Sequence, residues 1–251
     1  MILVLGGTSD SIELCNLLNK HNLSYFVSVT TAYGKEIASK CTDKVLLKKL
    51  TIEDMIEFIK ENKIDKVIDA THPYAVEVST NAMKACELSN TRYIRFERES
   101  LINEIDYDNK YLVETVEEAC EVANKVGNNI FIGTGSKNLS IYKELIKNKN
   151  LITRVLPTSE VLISCENLGF NADNIIAMKG PFTQEMNEST YKQYDIDLVI
   201  TKESGIAGGF LEKVNACKTL NIPVVIIKRK EMNYPNTIGN IEKLIDLINI
   251  Y

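Results

Sequence analysis

Residues 1–20 read MILVLGGTSDSIELCNLLNK: an apolar run at Ile2–Leu5, a Gly6-Gly7 doublet followed by Thr8-Ser9-Asp10-Ser11, then helical spacing over Ser9–Lys20. A strand, a glycine turn and a helix, in that order, form the opening of a dinucleotide-binding βαβ unit. The glycines permit close backbone approach, and the helix N-terminus offers N–H donors to a phosphate. The spacing is not GxGxxG, because Ser11 stands at the third glycine position. A glycine pair after a strand also serves plain turns. Gly6, Gly7, Thr8 and Ser9 are therefore candidate cofactor contacts on one reading and a structural turn on the other.

Outward from this stretch, the strand–loop–helix alternation runs to the end of the chain. Apolar runs predict strands at Ser24–Val29, Lys66–Asp69, Arg92–Phe96, Asn129–Ile132, Leu151–Val155, Asn174–Ala177, Leu198–Thr201 and Val224–Ile227, with a weaker one at Lys44–Leu47. Helical periods lie between them, among them Ile52–Glu61, Ala75–Glu87, Val116–Lys125, Gly208–Leu220 and Ile238–Ile248. Strands that are apolar throughout and separated by helices predict an α/β fold with mostly parallel sheets covered on both faces. So many strands predict two sheets rather than one. The polar stretch Glu97–Lys110 places a domain boundary near Asp106. The expectation is two Rossmann-like domains, 1–105 and 106–251, with ligands at strand carboxyl ends in an interdomain cleft.

The chain has 251 residues, of which 45% are hydrophobic and 25% charged, which is enough apolar material for a core and excludes wholesale disorder. Its net charge of −5 argues against a dedicated nucleic-acid binder. No apolar stretch reaches the roughly 18 residues of a membrane helix. Met1 leads directly into the first strand without a cationic leader, so a soluble, cytoplasmic protein is expected. The six cysteines form no CxxC pair and read as reduced, structural thiols; with two histidines, no metal centre is expected.

Five further loops carry polar chemistry. After the second predicted strand comes Thr30-Thr31-Ala32-Tyr33-Gly34-Lys35, without the acidic residue that grips ribose hydroxyls in a usual NAD site. The segment Asp69-Ala70-Thr71-His72-Pro73-Tyr74-Ala75 ends a strand in a polar cluster, with Pro73 at the expected helix start. His72 there is either a capping residue or a ligand-facing group able to move a proton near neutral pH. Gly133-Thr134-Gly135-Ser136-Lys137 suits an anion or ribose, or else Ser136 simply caps a helix. Lys179-Gly180-Pro181-Phe182 is a rigid turn bearing an aromatic that is either buried or set against a flat ligand. Finally, Lys202-Glu203-Ser204-Gly205 and Gly208-Gly209 precede Lys213 at a helix start, again either an anion site or a loop with solvated lysines.

Taken together and in order, ILVLGGTSDS, IDATHPYA with ACELSNTRYIRFERE, IFIGTGSKNL, RVLP, NIIAMKGPFTQEMN and LVITKESGIAGGFLEKVNAC with IPVVIIKR resemble the precorrin-6A reductases of cobalamin biosynthesis, including the cobalt-precorrin-6A form. The resemblance spans nearly the whole chain. There are two departures: Lys228-Arg229-Lys230, where that family often has Arg-Pro, and the loop after the second strand, which carries no NADP-type arginine. The resemblance implies two Rossmann-like domains, NADPH or NADH as cofactor, and hydride transfer to a ring carbon of the corrin precursor to give the 6B product. Cofactor contacts are expected at Gly6, Gly7, Thr8, Ser9, Thr30, Thr31, Thr71, Gly133, Gly135 and Ser136. A flat macrocycle rimmed with carboxylates requires cations and an aromatic wall. Substrate contacts are therefore expected at Tyr74, Lys137, Lys179, Phe182, Lys202, Ser204, Gly205, Gly208, Gly209, Lys213 and Arg229. His72 is the candidate catalytic residue. A monomer or weak homo-oligomer is expected, with no nucleic-acid or membrane partner. Three rivals share the opening loop. A short-chain dehydrogenase is disfavoured because the chain has no Tyr-x-x-x-Lys pair. A non-catalytic dinucleotide sensor of the NmrA type would bind cofactor without turnover, and an S-adenosylmethionine-dependent methyltransferase would leave NAD(P)H unchanged.

Overall fold

A computed structural model describes residues 1–205 and 208–249, and residues 206–207, between Gly205 and Gly208, lie outside it. The chain divides into two compact units, Met1–Glu99 with the segment from Lys230 onward, and Ser100–Arg229.

The first unit contains β1 (Ile2–Leu5), α1 (Ser9–Lys20), β2 (Tyr25–Val29), α2 (Ala32–Ala38), β3 (Val45–Leu47), α3 (Ile52–Glu61), β4 (Lys66–Asp69), α4 (Val76–Ser89) and β5 (Arg92–Phe96). The returning segment adds β12 (Thr237–Ile238) and α10 (Ile241–Asn249). The six strands are ordered β12-β5-β4-β1-β2-β3, and every pairing is parallel. Side chains alternate across a strand, so β1 feeds two cores. Ile2 and Val4 pack with Leu14 and Leu18 of α1 and with Leu244 and Ile248 of α10. Leu3 and Leu5 pack on the other face with Met55 and Ile59 of α3 and Ala82 and Ala85 of α4. Each fully buried Leu or Ile contributes about 1.5–3 kcal/mol. The helices start where side chains satisfy the first amides: Thr8 and Thr51 each form a reciprocal capping box. Asn90 closes α4 in the left-handed region at φ 52°.

The second unit contains β6 (Lys110–Val113), α5 (Val116–Val126), β7 (Asn129–Ile132), α6 (Leu139–Leu145), β8 (Asn150–Val155), α7 (Ser159–Asn167), β9 (Ile175–Ala177), α8 (Gln184–Gln193), β10 (Leu198–Lys202), α9 (Phe210–Leu220) and β11 (Val224–Ile227). Its order is β6-β11-β10-β7-β8-β9, again wholly parallel. Phe131, Ile152, Val199, Val224 and Ile226 from the strands pack with Phe210 and Val214 of α9.

The α/β class and the pair of parallel sheets agree with the sequence expectation. The division of the chain differs from it in two places. Leu101 and Ile105 are buried in the second unit's core, which draws the junction back from Asp106 to Glu99/Ser100. The last segment, expected within 106–251, belongs to the first unit because β12 pairs with β5 and α10 supplies Leu244 and Ile248 to its core. Ile238, expected to open a helix, is a strand residue, and the helix begins at Ile241. Among the described residues no helix is long and apolar enough to cross a membrane.

Candidate functional site

In each sheet the strand order reverses direction beside one strand, β1 in the first unit and β7 in the second, and ligands of such sheets bind at the carboxyl ends there. In the first unit these ends carry the loops after β1 and β4. Gly6 lies against α1: a Cβ would sit 3.1 Å from Val27 Cγ1 and 3.2 Å from Ser11 Oγ. Gly7 adopts φ +108° with nothing within 4 Å of where a Cβ would project. Ser11, in place of a third glycine, is buried and organises the turn. Its Oγ accepts the Gly7 and Thr8 N–H groups, each at 3.2 Å, and donates to the Thr8 carbonyl at 2.7 Å. Thr8 Oγ1 in turn donates to the Ala70 carbonyl at 2.8 Å, tying the first loop to the second. Ser9 is exposed at the helix start.

After β2, Thr30 is exposed, and Thr31 caps α2 by accepting the Gly34 N–H at 3.0 Å. The Thr31 hydroxyl, expected at the cofactor, therefore has a helix-capping role.

The loop after β4 rests on a buried polar cluster. Asp69 is 0% exposed. Its Oδ1 accepts from the Thr71 N–H (3.0 Å), the Thr71 hydroxyl (2.6 Å) and Arg95 Nη1 (2.9 Å), and its Oδ2 accepts from the Tyr93 hydroxyl (2.7 Å). Arg95 is also 0% exposed; its Nε donates to Glu97 Oε2 at 2.7 Å, and its guanidinium lies 5.1 Å from the Tyr234 ring. Burial, then the Asp69 carboxylate, pushes the Tyr93 phenol far above its ordinary range, so it remains a donor. Thr71, expected to touch the cofactor, is buried with its hydroxyl bound to Asp69. Pro73 does not open α4. It sits within a turn in which the Ala75 N–H donates to the His72 carbonyl at 2.8 Å, and the helix begins at Val76. His72 Nδ1 accepts the Tyr74 N–H at 3.3 Å, and the two rings lie 5.3 Å apart.

In the second unit the corresponding loops follow β7 and β10. A Cβ on Gly133 would sit 3.2 Å from the Phe131 ring and 3.4 Å from the Ile200 carbonyl, and Gly135 adopts φ +86° with open space beside it. Ser136 does not cap α6; the N-cap is Asn138, without a side-chain bond. Lys137 is exposed. Beyond β10, Gly208 tolerates no side chain, since a Cβ would fall 2.3 Å from Ser204 Oγ. Gly205 and Gly209 hold φ +73° and +62°.

Three cations gather about these loops. Lys213 is 6% exposed and donates to the Gly208 carbonyl at 2.9 Å. Burial, then Arg154 and Lys202, brings it down to about 7 against Glu212, which opposes the shift. Burial, then Lys137, brings Lys202 down to about 8. Arg154 is buried on β8, its Nη2 donating to the neutral Asn187 amide at 2.7 Å while Nη1 is buried without a hydrogen-bond partner. Its guanidinium lies 3.6 Å from the Phe182 ring and 5.1 Å from the Phe131 ring. Burial lowers it to about 10. A buried guanidinium with an unpartnered nitrogen is costly, and an anion arriving at Arg154 Nη1 would relieve that cost.

Lys179 is exposed. Arg229, expected at the substrate, pairs with buried Glu203, Nε to Oε1 at 3.2 Å. Tyr74 and Phe182 belong to different units. The sequence reading did not single out Asp69, Tyr93, Arg95, Arg154 or Asn187. For Asp69, Arg95 and Arg154 a signal was present: each is a charge in the last two residues of a buried strand, where burial demands a partner.

The profile of the family described as "Precorrin-6x reductase CbiJ/CobK" matches residues 1–249. The "Cobalt-precorrin-6A reductase" of Salmonella typhimurium is 39% identical over 91% of this chain and 87% of its own length. That of Priestia megaterium is 37% identical over 98% and 96%. The solved structure titled "CobK precorrin-6A reductase" superposes with a TM-score of 0.82, covering 98% of this chain and 95% of that one at 20% identity, which shows the shared fold.

Proposed function

The chain belongs to the precorrin-6x reductase CbiJ/CobK family, and from that premise we propose that it reduces a ring carbon of cobalt-precorrin-6A, giving cobalt-precorrin-6B, with a nicotinamide dinucleotide as reductant. The observation that carries the reading is the family match along residues 1–249. The names of the two relatives above, both called cobalt-precorrin-6A reductases, support the cobalt-bearing substrate.

The chain's residues fit both molecules. At the β1 turn, Gly7 leaves open the space a side chain would fill, and α1 presents its N-terminus to a pyrophosphate. Gly6, Gly7, Thr8 and Ser9 would hold it. After β2 the exposed Thr30 stands where an NAD site carries an acid, and with Lys35 it accommodates a 2′-phosphate, which favours NADPH over NADH. A bound reduced nicotinamide supplies the hydride. Lys202, Lys213 and Arg154 would hold carboxylates of the macrocycle, with Phe182 against its apolar surface. In the second unit Gly135, with open space where a side chain would project, would leave room for a ligand beside β7.

Reducing a conjugated ring consumes a proton as well as a hydride. His72 would deliver that proton or position the water that does. With Nδ1 accepting from Tyr74, a neutral ring carries its proton on Nε2 and would orient the water. To deliver the proton itself the ring would have to be the imidazolium, whose Nδ1–H gives up the Tyr74 bond. The test is anaerobic absorbance at 340 nm with purified protein, cobalt-precorrin-6A, and NADPH or NADH in turn. Stoichiometric oxidation of NADPH supports the reading in full. Folded protein that binds dinucleotide but consumes none, with either the cobalt-bearing or the metal-free substrate, would overturn it in favour of a sensor.

A further inference from the structure

The Asp69 cluster lies beneath the loop that carries His72, and neither ligand is needed to account for its bonds. We propose that Asp69, acting through Thr71, is a positioning residue for the reduction: it fixes the turn bearing His72. The proposal rests on the reading of His72 as the proton-handling group.

Asp69 is the last residue of β4 and lies wholly out of water. A carboxylate there is tolerated because four donors meet it: the Thr71 amide and hydroxyl, Arg95 Nη1 and the Tyr93 hydroxyl. If the cluster served stability alone, apolar residues of similar volume would do as well or better. What the cluster supplies that apolar residues do not is direction. Thr71 is held by both its backbone N–H and its hydroxyl, and its oxygen also accepts from Arg95 Nη1 at 3.2 Å. The next residue is His72, whose carbonyl accepts the Ala75 N–H and whose Nδ1 accepts the Tyr74 N–H. The imidazole is thus gripped on its C-terminal side by its own turn and on its N-terminal side by Asp69 through Thr71. Ala70, between the two, donates its N–H to the Leu5 carbonyl at 3.0 Å and accepts from Thr8. The same anchor therefore holds the His72 turn in register with the glycine turn after β1.

The test is a set of steady-state measurements on the whole enzyme with cobalt-precorrin-6A at saturating NADPH, using Thr71→Val, Thr71→Ser, His72→Ala and the Thr71→Val/His72→Ala pair. Thr71→Val keeps the side-chain shape and removes the hydroxyl. We expect it to lower kcat by roughly tenfold or more with KM nearly unchanged, since misplacement of a reacting group falls on the chemical step. Thr71→Ser should restore most of kcat, and Thr71→Val should have no further effect once His72 is alanine. If Thr71→Val does not fold, Tyr93→Phe takes its place. It deletes the one bond to Oδ2 and should give a smaller loss of kcat that likewise disappears in the His72→Ala background. Losses that multiply independently in the double variant, or a loss confined to KM and thermal stability, would overturn the positioning role. So would full kcat in Thr71→Val when His72→Ala is impaired, leaving the His72 reading intact. Full turnover in His72→Ala would instead remove the His72 reading, and this inference with it.

Discussion

The guanidinium of Arg154 stands 3.6 Å from the centre of the Phe182 ring. That contact joins a strand-end cation to the aromatic of the Gly180-Pro181-Phe182 turn, and it holds the ring's face while Asn187 holds Nη2. Nη1, buried and unpartnered, is the donor an anionic ligand would meet.

Replacing Arg154 with methionine should therefore separate binding from folding. Removing an uncompensated buried cation leaves thermal stability unchanged or raised. The KM for the macrocycle should rise by roughly tenfold or more, because a charge-assisted bond to carboxylate is worth about 1.5–3 kcal/mol. Arg154→Lys should not rescue, since an ammonium lacks the planar fork that stacks on Phe182. Steady-state kinetics and a melting curve check both parts.

Lys213 gives the protein a definite pH dependence. Its folded value of about 7 lies below its ordinary 10.5. Between those two values the unfolded chain binds a proton that the folded one does not, so stability rises with pH across this window and is flat below it. Binding an anion favours the ammonium form, so substrate binding takes up a proton there. The KM should climb as pH rises above about 7, approaching tenfold per unit. Lys213→Met should flatten that profile, and kinetics at constant ionic strength would show it.

Gly7→Ala tests the glycine turn. At φ +108° any Cβ is strained, although no neighbour obstructs it. The expected cost to stability is about 1–2 kcal/mol. Dinucleotide affinity should fall further than that cost explains, because the methyl group projects into the open space. Fluorescence titration with NADPH, alongside a denaturant melt, distinguishes the two effects.

Thr30→Asp tests the proposed preference for NADPH. A carboxylate at this exposed position beyond β2 grips ribose hydroxyls and repels a 2′-phosphate. The KM for NADPH should rise by roughly tenfold while that for NADH stays level or falls. Parallel assays at 340 nm with the two cofactors read this directly.

Much of the fold was legible because buried parallel strands are apolar at their centres. Ile2–Leu5, Lys66–Asp69, Arg92–Phe96, Asn129–Ile132 and Val224–Ile227 form strands over the residues expected of them. The elements that escaped are those whose residues carry little pattern. Ala32–Ala38 buries Ala38 alone, so its helix shows no apolar stripe. Lys110–Val113 is an edge strand with Tyr111 and Leu112 exposed, and it reads as part of the polar linker. Thr237–Ile238 is two residues long, too short for any period.

The candidate site was legible in its loops and not in its foundations. Glycines at strand ends are visible in the one-dimensional order, since each marks a turn whatever lies around it. The partners of Asp69 and Arg154 come from other strands and helices: Tyr93 and Arg95 from β5, Asn187 from α8, Phe182 from the turn before it. No spacing along the chain encodes them.

By itself, then, the sequence determined the alternation of strands and helices, the two parallel sheets and the loops at their carboxyl ends, because hydrophobic period and turn chemistry are local properties. Only the tertiary structure decided that the final segment joins the first unit, that Thr71 serves Asp69, that Arg229 answers Glu203 and that Lys213 titrates near neutrality. Those outcomes depend on which groups are brought together away from water, and burial and through-space charge are set by packing rather than by order along the chain.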